Sequence, residues 1–256
     1  MMHRFGIPLL GLIFCAAAQA ESSNTPTTKP ASTTKGELEL GVISTTGNTE
    51  TNSIQGKLSI TQDLESWKSN YVFDALYKDE KVDDNGVKKT QTSAEKYFAS
   101  TQFDYKLLNQ HSALFLFASY EQDRFSGYDY QTSVAAGYSE HFLRTAPHDL
   151  TLSAGPGYSM SKNAADGEKN DTVIIRLAMN YKFTLSENAR FQQTLSTEAA
   201  VDSEDNSKTK SETSVAAKVM GDLSLKAGYA ITHNSEVPDG TENTDTSTTL
   251  SVIYVF

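Results

Sequence analysis

Cysteine is nearly missing from this sequence: one residue of 256, Cys15, carries a thiol. It lies in an N-terminal apolar stretch and follows Phe14, where a lipid-attachment signal needs a small residue, so lipidation there is not expected. Past that stretch no disulfide can form, and an exported chain without disulfides needs another source of stability, such as a closed sheet. Long hydrophobic runs are missing too. After the N-terminal segment the longest is residues 113–118, far short of the roughly 18 that a spanning helix needs, which excludes a helical membrane protein. A basic excess is also missing. The formal net charge is −10, and no basic stripe is available to neutralise phosphates, so nucleic acid is not an expected partner.

What the chain does have is Thr, Ser and aromatics, with twelve Tyr and twelve Phe, a composition that suits a pleated surface better than a helix. Its first residues read as a targeting segment. Arg4 gives a basic start, residues 5–18 are apolar, and Ala18-Gln19-Ala20 has the small-x-small form of a cleavage site. A signal peptide over 1–20 is therefore expected, with cleavage after Ala20. Residues 21–35 are rich in Thr, Ser and Pro and nearly free of apolar side chains, which predicts a flexible leader.

From Gly36 the pattern changes to apolar–polar alternation in segments of about ten residues separated by polar turns. Leu38, Leu40 and Val42 oppose Glu37 and Glu39. Ile54, Leu58 and Ile60 oppose Gln55 and Lys57, and Tyr71, Phe73, Ala75 and Tyr77 oppose Asp74. Tyr97, Ala99, Phe103 and Tyr105 oppose Lys96 and Asp104, whereas the next segment, 113–120, is apolar on both faces and has no assignable phase. Further segments carry Tyr130 to Tyr138, Leu150 to Tyr158, Val173 to Phe183, Phe191 to Val201, Thr213 to Val219 and Leu223 to Ile231. Residues 248–256 make the twelfth, with Leu250, Val252, Tyr254 and Phe256 on one face.

Twelve is an even number, as expected for an antiparallel barrel with both ends of the chain on one side of a membrane. Connections after odd-numbered segments (44–52, 78–93, 121–128, 161–171, 202–210 and 233–244) are longer than those after even-numbered ones. That asymmetry is typical of outer-membrane barrels. Aromatics recur near the ends of the apolar faces, as interfacial girdles require. The opposite faces carry too many charges for a dry core. The expected fold is an all-β, transmembrane, antiparallel up-and-down barrel of about twelve strands over 36–256. Tyr254 and Phe256 would act as its C-terminal assembly signal.

Several stretches strengthen this reading: GNTET (47–51), DRFSGYDY (123–130), AGPGY (154–158), ENARF (187–191) and HNSEVPDGTENTDT (233–246). Together they resemble the salt-induced outer-membrane proteins of the YdiY type, a family of undefined function. The resemblance covers about 36–256 and departs from the family pattern where Asp239 replaces an expected Pro and Ser159 an expected basic residue. It implies location in the outer membrane of a Gram-negative bacterium and a link to salt or envelope stress, and supplies no biochemical activity.

Asp123, Arg124, Tyr128 and Asp129 form a candidate cluster at the barrel mouth, either binding an anionic group or pinning a hairpin turned by Gly127. Predicted lumen charges are Glu37, Glu39, Lys57, Asp74, Arg176, Lys182, Lys218 and Lys226, with Lys96, Asp104 and Glu198 beside them. Mixed signs predict weak ion selectivity, because strong selectivity needs a ring of one sign. The acidic run Asp79, Glu80, Asp83, Asp84 lacks calcium-loop spacing and reads as a solvated loop. The histidines outside the targeting segment lack metal-ligand spacing, so neither metal nor cofactor is expected. A wall-borne hydrolase would need a Ser–His pair across strands, for which His141 is the one candidate. The expected function is a narrow passive pore or a structural envelope protein rather than an enzyme. The alternative is a surface binding or adhesion module that uses acidic loops. Expected partners are outer-membrane lipid, lipopolysaccharide and the barrel-assembly machinery.

Overall fold

The computed structural model describes residues 32–45, 51–84, 87–108, 111–124, 126–164, 166–202, 206–237 and 242–256. The targeting segment, most of the expected leader and most of the 44–52 connection lie outside them. The described residues form twelve strands: β1 (Thr33–Thr45), β2 (Thr51–Asp63), β3 (Trp67–Asp84), β4 (Val87–Lys106), β5 (Ser112–Asp123), β6 (Tyr128–Thr145), β7 (His148–Asn163), β8 (Lys169–Ser186), β9 (Ala189–Ala200), β10 (Lys208–Met220), β11 (Leu223–Asn234) and β12 (Thr244–Val255). Each pairs antiparallel with its neighbour in sequence, and β12 returns to β1 to close the barrel. Closure gives every strand two partners, which matters in lipid because no water is present to satisfy an open edge. β1 begins at Thr33, three residues before the alternation becomes visible.

The apolar faces point outward. Leu38, Leu40, Val42, Ile54, Phe73, Val173, Leu177, Leu225, Leu250 and Val252 are all exposed, while Glu39, Asp104, Glu121 and Arg176 are buried inside. This is the reverse of a soluble barrel. Near the short turns an aromatic girdle surrounds the band: Trp67 meets Tyr105 edge-on at 4.9 Å, Tyr71 meets Phe103 at 5.8 Å, and Tyr254 stacks on Phe256 at 6.0 Å. Toward the other end Tyr120 stacks on Tyr130 at 6.2 Å, with Tyr77, Tyr97 and Tyr158 also exposed. An apolar band between two aromatic girdles is the outer surface of a membrane-spanning barrel.

The phase of β5, open in the sequence, is resolved. Leu114, Leu116 and Tyr120 face out, whereas Phe115 and Phe117 are 3 % and 8 % exposed and fill part of the lumen beside Ala135. β5 is apolar on both faces because one face meets lipid and the other a local core. Opposite these rings, Gly137 on β6 and Gly155 on β7 let two backbones approach closely. A Cβ on Gly137 would lie 2.2 Å from the Ala154 carbonyl oxygen, and one on Gly155 would lie 2.1 Å from that of Ala136. Only glycine fits there.

The hairpin expected to loop over 78–93 is mostly strand. β3 runs to Asp84 and β4 starts at Val87, so the sheet extends past the girdle on this side. Local alternation marks the lipid-facing stretch and misses this continuation, whose sequence (DEKVDD and VKKTQT) is polar and lacks an apolar face.

At the seam, Gly36 and Phe256 exchange backbone hydrogen bonds, with Gly36 N–H donating at 2.7 Å and Phe256 N–H at 2.9 Å. The Phe256 ring covers Gly36 so closely that a Cβ on that glycine would lie 2.3 Å from the ring.

A charged lumen as the candidate functional site

Lumen-facing positions are alternate residues on each strand, so adjacent strands place charges side by side and barrel curvature brings distant strands face to face. Among the described residues two such groups stand out. In the first, the Glu121 carboxylate on β5 receives Lys96 of β4 at 2.8 Å, Lys208 of β10 at 2.9 Å and Lys210 of β10. β5 and β10 lie almost opposite one another in the twelve-strand order, so the two β10 lysines reach across the lumen. Lys96 also contacts Asp123 at 3.3 Å, Lys208 donates to the side-chain Oε1 of Gln131, and Lys210 lies 4.2 Å from the Phe98 ring centroid.

The second group joins β1, β2, β10 and β11. Lys57 donates to Glu212 at 2.9 Å, and Lys226 bridges Glu212 at 2.8 Å and Glu39 at 3.0 Å. Ser251 Oγ donates to Glu39 at 2.6 Å, and Gln55 donates to Asp74 at 3.2 Å. Nearer the short turns, Arg190 of β9 reaches Glu37 of β1 at 3.1 Å. These pairs are bonded at both ends, which is what makes charges tolerable at such depth. Together they set ion pairs across the lumen between strands that are not neighbours.

In the long-loop half of the barrel lies a cavity of about 480 Å³, with Glu121, Lys208 and Lys210 of the first group in its wall. Its wall is largely hydroxyl and amide: Ser100, Ser119, Ser133, Ser159, Asn163 and Thr172 contribute, with Phe98, Phe117 and Tyr128 among them. Arg176, 7 % exposed, also lines it and stacks on Phe117 with its guanidinium carbon 3.7 Å from the ring centroid. Its Nε lies 4.0 Å from Glu198 Oε1, too far for a hydrogen bond. Glu198 Oε2 instead accepts from Ser133 Oγ at 2.6 Å. Among the described residues, Nε and Nη1 of Arg176 have no acceptor. An unmet buried donor costs about 1–3 kcal/mol, and more on a charged group.

Residues 38–256 match the profile of a family described as "Protein of unknown function, DUF481". The chain belongs to this family. The uncharacterized protein YdiY of Escherichia coli (strain K12) is 30% identical over 254 residues, which cover 97% of this chain and 95% of YdiY. Among solved structures, the chain is similar to the NanC porin, with TM-score 0.48 and 10% identity over 88% of this chain and 98% of that one. It is also similar to the translocator domain of the autotransporter NalP from Neisseria meningitidis, with TM-score 0.45 and 13% identity over 87% of each chain. A third is the outer membrane channel DcaP of Acinetobacter baumannii, with TM-score 0.40 and 9% identity over 92% of this chain and 100% of that one.

In this DUF481 protein the candidate mouth cluster is divided. Arg124 pairs with Glu95 at 3.3 Å through side chains and again through its backbone N–H at 3.1 Å, while Asp123 takes Lys96. Asp129 pairs with Lys162 at 2.5 Å. Tyr128 is buried, and its hydroxyl donates to the Glu236 carbonyl at 3.1 Å. The cause is a register shift between Tyr128 and Tyr130 in the pairing with β7, a bulge at Asp129 that turns Tyr128 inward. Gly127 does turn the hairpin, at φ 81°. These four residues therefore tie hairpins together and do not converge on one group.

The lumen charges named from alternation are distributed more widely. Glu39, Lys57, Asp74 and Lys226 gather in the second group, Arg176 lines the cavity, and Glu37 pairs with Arg190. Lys182 and Lys218 share the inward-facing register of their strands but are exposed toward the short-turn end. Glu121, Lys208, Lys210 and Glu212 were missed. The first three fell in segments read as loops, yet β10 alternates inward through Lys208, Lys210, Glu212 and Ser214 without interruption. Following that alternation past the apolar stretch would have found Lys208, Lys210 and Glu212, whereas Glu121 lies on β5, whose two apolar faces hide its phase.

Proposed function

We propose that this protein resides in the outer membrane of a Gram-negative cell, exported by a signal peptide cleaved after Ala20. There it serves as a narrow, passive path for ions and small solutes. The cross-lumen convergence of Lys208 and Lys210 on Glu121 carries this reading, because it lines the lumen with polar, water-compatible groups and obstructs anything bulky. The mixed signs along the lumen favour weak selectivity. The short turns would face the periplasm and the long hairpins the exterior, in contact with lipopolysaccharide. Tyr254 and Phe256 would present the strand that the assembly machinery reads. A link to salt or envelope stress fits a leak that is kept small. Planar-bilayer recording of the refolded protein tests the reading. Small steps with a reversal potential near zero in a salt gradient are expected, and a silent bilayer containing folded barrel would leave a purely structural role. N-terminal sequencing of the exported protein should begin at Glu21.

A further inference from the structure

We propose that the 480 Å³ cavity at the long-loop end is a binding site for a small hydroxylated carboxylate, with Arg176 as its anion-binding group. Three observations converge on this. The cavity has the size of small-molecule sites, which run to about 300–1,000 Å³. Its wall presents many short hydroxyl and amide side chains, Ser100, Ser119, Ser159, Asn163 and Thr172 among them, which suit a ligand carrying several hydroxyls. At its edge sits a buried arginine with two N–H-bearing nitrogens, Nε and Nη1, that no described residue accepts from.

The lack of an acceptor has a structural cause. Glu198 is the natural partner, but Ser133 holds its Oε2 at 2.6 Å while Oε1 stays 4.0 Å from Arg176 Nε. Phe117 covers one face of the guanidinium, so an acceptor must approach the edge, in the guanidinium plane. A carboxylate oxygen can accept from Nε–H or from Nη1–H in that plane, one nitrogen at a time, and a single negative charge is better tolerated than two beside Glu198 and Glu121. Lys208 and Lys210, also on the cavity wall, add favourable potential without being free to leave Glu121. The inference stands apart from conduction, since a dead-end pocket and a passage would bind the same ligand.

Gluconate is a suitable probe, with sorbitol as the same chain lacking a carboxylate and acetate as a carboxylate lacking hydroxyls. Titration calorimetry on the full refolded barrel in detergent should show gluconate binding at least tenfold tighter than either control. Arg176→Gln should weaken gluconate binding at least tenfold. Because an arginine this deep also supports folding, Ser133→Ala gives a second, milder test. Freed from Ser133, Glu198 can take Arg176 itself, so gluconate binding should fall severalfold while heat-modifiable migration stays normal. Absence of gluconate binding to the wild-type barrel would overturn the proposal, as would equal binding of gluconate and sorbitol. Unchanged gluconate affinity in both folded variants would overturn it as well. Bilayer conductance, measured separately, bears on the passage alone.

Discussion

Replacing Glu121 by glutamine keeps the side chain's shape and removes the charge on which Lys96, Lys208 and Lys210 converge. The carboxylate is 7 % exposed, and its partners range from 11 % to 31 %. Breaking a buried pair by neutralising one partner costs about 3–5 kcal/mol, mostly from the uncompensated charge left behind. Here three ammonium groups would be left, which argues for the upper part of that range, but Lys96 keeps Asp123 at 3.3 Å and lumen water can reach Lys210, which argues for the lower part. We expect a loss of about 3 kcal/mol, taken from the buried-pair range. Urea unfolding of the refolded barrel in lipid vesicles measures it, with Asp129→Asn as control. That carboxylate pairs with Lys162 where both are substantially exposed, and an exposed pair is worth about 0–1 kcal/mol. The same variant leaves an excess of positive charge in the lumen, so the reversal potential of any conductance should move toward anions. A stability loss no larger than the control's would refute the view that the three lysines depend on this carboxylate.

Other outcomes follow from the packing. Gly36→Val places a side chain where the Phe256 ring sits, and losing that cross-strand contact should cost up to about 1 kcal/mol. Deleting Phe256 should lower outer-membrane levels more than deleting any loop. Gly137→Ala drives a methyl into the Ala154 carbonyl and should destabilise by about 1–3 kcal/mol or more, whereas Gly56→Ala, whose nearest contact would be Leu40 at 3.8 Å, should be nearly silent in the same unfolding assay. Leu116→Arg puts a charge on the lipid-facing side of β5 and should cost about 2–4 kcal/mol if it sits near the midplane, read as reduced insertion into vesicles.

The barrel was legible in the sequence because lipid enforces alternation. Leu38, Leu40, Val42 and Leu250, Val252, Tyr254 read as outer-face residues from alternation alone, since a one-residue slip would turn these apolar side chains into the polar lumen. β5 escaped because Phe115 and Phe117 pack inside, so its inner face is as apolar as its outer one. The candidate site was less legible for a geometric reason. Which lumen side chains meet depends on curvature and strand stagger, and no local pattern encodes that Lys208 will find Glu121. Asp123, Arg124, Tyr128 and Asp129 looked like a cluster because they are close in sequence. A single bulge sends them to different partners.

The seam between β1 and β12 has a consequence for how the barrel comes apart and together. Its ladder runs for five residue pairs, from Glu37–Val255 to Gly41–Ser251, with the Gly36–Phe256 exchange at its foot. The hairpin ladder of β1 with β2 runs for thirteen. Every other pairing joins strands that are neighbours along the chain, whereas this one joins its two ends, so its loop-closure entropy is the largest in the molecule. A short ladder with the highest entropic cost is the first place to unzip and the last to form. Pulling or thermal fluctuation should open the cylinder there, as a cuff opens at its clasp, and in hydrogen exchange the amides of residues 36–41 and 251–256 should report that opening before any hairpin does.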